Sequence, residues 1–143
     1  MIRIANAQFW VHDQDEALDF YMRTLGWEVR SDVTIEEWAF RWLVVGPAGQ
    51  PGIGLVLMPV PQPPMFDVDA SAQLAELVAK GAGGTLFLET DDCQAAYDDL
   101  SARGVEFNDP PTPQPYGIDT SFRHPSGNNI RLTQVLDFSL DRQ

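Results

Sequence analysis

His12, His124 and Cys93 are the only histidines and the only cysteine in a chain of 143 residues. Imidazole is the side chain whose ordinary pKa suits proton transfer near neutrality, so the two histidines are the first candidates for acid–base chemistry. Both fall in turns at strand ends, one in each half of the chain, where histidines are more often solvated than catalytic. Cys93 stands near the start of an expected helix, whose dipole could lower a thiol pKa. With no histidine expected beside it, a buried structural thiol is the better reading. A single cysteine also excludes an intramolecular disulfide and a thiolate metal cluster within one chain. The sequence has no G-x-S-x-G elbow, no Walker loop and no H-E-x-x-H. Gly81-Ala82-Gly83-Gly84 precedes a strand, whereas a dinucleotide loop follows one and opens a helix, so it reads as a linker.

Charge narrows the partners. Nine Lys and Arg face 21 Asp and Glu, a net of −12, and Lys80 is the only lysine. A phosphate backbone or an anionic membrane needs clustered positive charge, so neither nucleic acid nor membrane is expected as a partner. An acidic surface mildly favours a cationic ligand, but net charge mainly argues solubility. No stretch approaches the roughly 18 apolar residues of a membrane span, and the first residues alternate without a signal core. The expectation is a soluble, cytoplasmic protein of one domain.

The elements that would carry any site are announced twice. Asn6-Ala7-Gln8-Phe9-Trp10-Val11-His12-Asp13 leads into a helical stretch that closes on Leu25-Gly26-Trp27. Seventy-nine residues on, counting Asn6 to Thr85, comes Thr85-Leu86-Phe87-Leu88-Glu89-Thr90-Asp91-Asp92, with a second helical stretch closing on Arg103-Gly104-Val105. Two copies are too few for a solenoid. They imply a pseudo-symmetric single domain whose site lies between its halves. Asp13 with Glu16 reads as a helix-capping pair, and Gly26 as a helix stop. Period-two patterning predicts strands at 2–11, 27–33, 38–45 and 53–58 in the first half. The second half reads as strands at 85–89, 105–108, 118–123 and 129–135, with a helix from about Asp92 to Arg103. Pro110–Pro115 reads as a turn. In Pro59-Val60-Pro61-Gln62-Pro63-Pro64 four of six residues lack an amide donor, so this segment opens a connector with a short helix near 70–80. Each half is then βαβββ. The fold class is α+β: two such modules (about 1–60 and 85–136, with a connector at 61–84) forming a curved mixed-sheet cup with helices outside.

Two stretches carry a resemblance. Phe122-Arg123-His124-Pro125-Ser126-Gly127-Asn128-Asn129-Ile130-Arg131-Leu132 is similar to the final hairpin of the vicinal oxygen chelate superfamily, which usually reads F-x-D-P-x-G-N-x-I-E-L. Val11-His12-Asp13 through Ala17, Phe20-Tyr21 and Leu25-Gly26-Trp27 resembles its first helix. Glyoxalase I, extradiol dioxygenases and bleomycin-resistance proteins share this fold. In the enzymes of the superfamily four strand positions ligate a metal. Carried over residue by residue, they fall on Asn6, near Val56, on Thr85 and on Arg131. Val56 has no donor atom, Asn6 and Thr85 are weak neutral oxygens, and Arg131 puts a fixed positive charge where the cation would sit. The resemblance therefore implies a scaffold without its usual metal, and no cofactor is expected.

The same parity places Gln8, Trp10, Met58, Phe87 and Thr133 toward the cup, with Glu89 beside Arg131. Arg131 could hold a ligand carboxylate, phosphate or enolate by a two-point contact, or form a structural ion pair with Glu89. The aromatic groups read either as pocket walls or as core filling. The leading expectation is a metal-free, bleomycin-resistance-like homodimer that binds an unidentified small molecule. An alternative is an enzyme of the superfamily (a lyase, isomerase or dioxygenase) with a non-standard site, and a third is an interaction module whose cup is filled.

Overall fold

The computed structural model describes residues 1–136. Two four-stranded mixed sheets, each with the same order, make up its two halves. In the first, β1 (Asn6–Val11) lies parallel to β4 (Gly54–Pro59), followed by β3 (Phe40–Gly46) and β2 (Glu28–Ile35) antiparallel. In the second, β5 (Thr85–Glu89) lies parallel to β8 (Asn129–Val135), followed by β7 (Gly117–Arg123) and β6 (Phe107–Gln114). The registers match across the repeat. Gln8 stands opposite Val56 as Phe87 stands opposite Arg131, and Asn6 and Thr85 open equivalent strands. The two-module α+β reading is therefore what the chain adopts.

Each first strand runs into a helix capped in the same way. Asp13 accepts the Glu16 amide ahead of α1 (Gln14–Asp19), and Asp92 accepts the Ala95 amide ahead of α3 (Cys93–Ala102). The helical stretches end at Gly26 and Gly104, both with positive φ. They differ by one residue: Gly26 follows Asp13 by 13 positions, Gly104 follows Asp92 by 12. The extra residue is absorbed in a π-helical turn, Phe20–Thr24, closed by the Leu25 amide on the Phe20 carbonyl at 3.2 Å. That turn sets Phe20 and Tyr21 edge to face, ring centroids 5.2 Å apart, with both rings against His124 of the second module. Tyr21 is fully buried in the first core with Phe9, Val11, Leu43, Val45, Leu55 and Leu57. Phe20 reaches Phe122 and His124 of the second module, with ring centroids 6.2 and 5.5 Å away.

The hairpin that carried the resemblance fastens the two modules together. The Asn128 Nδ2 donates to the Trp10 carbonyl at 2.6 Å, and the His12 amide donates to the Ser126 Oγ at 3.0 Å. Gly127, at φ 113°, lies so close to Val78 and Ala79 of α2 (Val68–Ala79) that a β-carbon would collide with the Val78 carbonyl. His124 sits in the middle of this joint, 1% exposed, its Nδ1 accepting the Ser126 amide at 2.9 Å.

Four readings differ from the structure. Alternation from Ile2 predicts a strand at 2–11, but β1 begins only at Asn6. Trp38 belongs to a 3₁₀ turn, Glu36–Trp38, ended by a left-handed Ala39, so β3 starts two residues later than alternation suggests. Pro110 to Gln114 are strand, not turn. β6 is the outermost strand of its sheet, so prolines lacking an amide donor are tolerated there, with register shifts around Asp109 and Thr112. The expectation of solvated turn histidines fails at His124, because its turn is packed into the module joint. Cys93 is buried as expected, and burial raises its thiol pKa.

Candidate functional site

The ten residues singled out from the sequence fall on two sheet faces. Gln8, Trp10 and Met58 share a cavity of about 630 Å³ with Trp38, Ala39, Phe40 and the Pro59–Met65 segment. β1 and β4 supply its floor, and the 3₁₀ turn and the proline-rich connector supply its walls. Trp38 is 72% exposed and Met65 82%. Large apolar side chains held this far into solvent form a surface that an apolar ligand would cover. Neither Trp38 nor the connector is among the ten. Alternation counts Trp38 as one more strand residue, whereas it stands on a 3₁₀ turn ended by the left-handed Ala39. Asn6, on the same strand face, is exposed, while Val56 is only 4% exposed.

The second face holds Thr85, Phe87, Glu89, Arg131 and Thr133 by register. Phe87 and Glu89 line a different cavity, of about 550 Å³, together with Leu25, Trp27, Pro47 and Leu100. Arg131 does not pair with Glu89. Its Nη1 lies 2.7 Å from the Asp119 carboxylate, which is 1% exposed and also accepts the Tyr116 hydroxyl at 2.5 Å. Glu89 on β5 and Asp119 on β7 both stand opposite Thr133, one step diagonal to Arg131 on either side of β8. Register alone does not choose between them: the buried Asp119 takes the guanidinium and the exposed Glu89 does not. Asp119 raises both the Tyr116 and the Arg131 pKa, chiefly through these hydrogen bonds. Asp119 and Tyr116 escaped the sequence reading because only the β7–β8 register joins them to Arg131. The Arg131 side chain is 39% exposed and has donors beyond the one given to Asp119.

The four positions that ligate metal in the superfamily's enzymes do not fit a divalent cation here. Val56 offers hydrocarbon, and Arg131 is a cation already held by Asp119. Among the described residues no three His, Cys, Asp or Glu side chains come together as a metal site would need. His12 and His124 share no hydrogen bond, each ring bonding elsewhere. His12 Nε2 lies 2.8 Å from the Ala75 carbonyl, and burial depresses the His124 pKa to about 4, so it is neutral at ordinary pH.

Residues 3–132 match the Glyoxalase/Bleomycin resistance protein/Dioxygenase superfamily. The chain belongs to that superfamily. Among solved structures it is similar to TnmS3, an antibiotic binding protein from Streptomyces sp. CB03234, at 32% identity and a TM-score of 0.73, covering 95% of this chain and 98% of that one. It is also similar to UcmS2, at 38% identity and a TM-score of 0.84, over 94% and 98% of the two chains. An uncharacterized protein of Shewanella frigidimarina (strain NCIMB 400) is 35% identical over 129 residues, 89% of each chain. No helix among the described residues is long and apolar enough to cross a membrane.

Proposed function

We propose that this superfamily member binds and sequesters a small, largely apolar molecule without metal and without turnover. The observation that carries the reading is the 630 Å³ cavity walled by Trp10, Trp38, Phe40 and Met58. It lies within the size range of small-molecule sites and offers aromatic faces with few polar groups, such as Gln8 and Gln62. A relative of similar length and fold that binds an antibiotic supports the same class of ligand. In this reading Asn6, Gln8, Trp10, Val56 and Met58 form one side of the ligand site. Thr85, Phe87, Glu89, Arg131 and Thr133 lie on a separate face of the single chain and join the site only where a second protomer brings the two faces together, with Arg131 directing its free donors to an oxygen of the ligand. The protein is read as a cytoplasmic homodimer.

The test is mass spectrometry of small molecules that co-purify with the protein, followed by titration of the molecule found against tryptophan fluorescence. The expected result is stoichiometric binding with the ligand recovered unchanged. Near-stoichiometric Fe, Ni, Zn or Mn held through Asn6, Thr85 or a histidine, or recovery of a converted product, would overturn it in favour of an enzyme. Absence of any ligand quenching Trp10 or Trp38 would leave an interaction module as the better description.

A further inference from the structure

The end of β1 is held from both sides, and one of the holders belongs to the other module. The Ala5 and Val11 carbonyls accept the Gly54 and Val60 amides, so odd-numbered residues of this strand face β4 and even-numbered ones face outward. On that outward side the Trp10 carbonyl accepts the Asn128 Nδ2 at 2.6 Å, and the His12 amide donates to the Ser126 Oγ at 3.0 Å. The Trp10 side chain lines the 630 Å³ cavity, whereas His124, Ser126 and Asn128 do not. A turn that never touches the cavity thus fixes the backbone of one of its walls.

His124 is the centre of that turn. Its Nδ1 accepts the Ser126 amide, so the proton of the neutral ring resides on Nε2. A second proton has only Nδ1 to go to, where the new N–H would meet the Ser126 N–H head on. Ser126 must then turn away, and its Oγ leaves the His12 amide. We propose that the His124 hairpin is the positioning element of the ligand cavity, holding Trp10 in place while His124 is neutral and releasing it when His124 takes up a proton. The surroundings oppose that charge. Phe20 and Tyr21 lie against the ring, with centroids 5.5 and 5.3 Å away, and the buried Nε2 finds no hydrogen-bond partner among the described residues. Tyr21 from the π-helical turn and His12 from the end of β1 are the titratable groups that face it. α2 presents Val78 and Ala79 to the hairpin, and the guanidinium of the neighbouring Arg123 lies 3.4 Å from the Ala79 carbonyl instead. Burial first, and then His12, depress the His124 pKa to about 4, with no carboxylate to offset them. The closed hairpin therefore holds His124 neutral, while an open one lets it titrate near its ordinary 6.5. Closure is complete above about pH 6.5 and weakens about tenfold per pH unit down to about pH 4.

The proposal rests on reading the cavity as the ligand site, and the two can fail separately. The test uses the full chain, hydrogen exchange, and N-phenyl-1-naphthylamine, a neutral aromatic probe too weakly basic to titrate in this range. Between about pH 6.5 and about pH 5 the protection of the His12 amide, corrected for intrinsic rate, should fall roughly 30-fold, ahead of the Leu43 and Val45 amides of β3. Probe affinity should be at least about threefold lower at about pH 5 than at about pH 7. His124→Asn keeps an acceptor for the Ser126 amide but does not titrate, and should bring the ratio of the two affinities to about one. Ser126→Ala cuts the same link at Oγ alone, and should lower His12 protection at about pH 7 and flatten its fall in acid. A pH step that persists in both variants overturns the proposal, as does His12 protection lost only together with that of Leu43 and Val45. Equal binding at both pH values leaves the cavity reading standing and overturns the hairpin's role. No binding at either overturns the cavity reading and the proposal with it.

Discussion

Arg131 and His124 show how far a residue's role depends on what it touches. Arg131 is tied to a carboxylate with almost no access to water, so Arg131→Met strands Asp119 with only the Tyr116 hydroxyl. Because the guanidinium is partly exposed, the expected loss is about 1–3 kcal/mol, below that of a fully buried pair. Asp119→Asn combined with Arg131→Met should recover part of it, read from urea melts of the single and double variants. Additive losses would show that the two side chains do not act as a pair. His124 gives a pH dependence of definite sign. Its folded pKa is about 4, below the ordinary 6.5, so the unfolded chain binds the extra proton first. Its contribution is complete above about pH 6.5 and falls away as the pH drops toward 4, by up to about 3 kcal/mol. His124→Phe should flatten that part of the stability profile, and a profile as steep as the parent's would count against the assignment.

At the scale of elements, the His124–Asn129 turn is a fastener whose parts are separable. Gly127→Ala would place a β-carbon against the Val78 carbonyl at a φ that L-residues rarely adopt. A loss of about 2–4 kcal/mol is expected, visible as a lowered Tm. Asn128→Ala removes the donor to Trp10 and should cost about 1–2 kcal/mol, the price of one buried hydrogen bond with its acceptor left unmade. Hydrogen exchange should locate that loss in β1 and the β7–β8 turn, because these are the segments joined. Equal loosening of both whole modules would argue against a local fastener. The π-helical turn is the other element with a specific task, since Phe20 packs against both cores and, with Tyr21, reaches His124 across the joint.

For the whole molecule, the ligand reading predicts that function and stability come apart at the cavity wall. Trp38 is mostly exposed, so Trp38→Ala should change stability by no more than about 0.5 kcal/mol. The same change should weaken ligand binding at least about tenfold, because a large aromatic wall is lost. Calorimetric melts and fluorescence titration of the one variant check both halves. Unchanged affinity would move the site away from this cavity, leaving the Arg131 face as the place to look.

The repeat, the Asp13 cap, the two helix-stopping glycines and the alternation of β1 and β5 were legible because each is local: side-chain period and terminal chemistry depend on near neighbours in the chain. The module order followed from the spacing of those signals. That Gln8, Trp10 and Met58 share one face followed as well, since a strand has only two faces. What no local pattern contains is the partner across a sheet or a joint. Asp119 and not Glu89 holds Arg131 although both stand opposite Thr133, because Asp119 is buried on an inner strand and Glu89 is exposed at the sheet edge. The Pro110–Gln114 segment became strand because its outer edge has no neighbour to satisfy. His124 became a buried neutral base because the other module closes over it. Trp38 became a cavity wall through one left-handed residue. Tertiary structure decided these, since burial, pairing and the cost of a desolvated charge are set by groups distant in sequence.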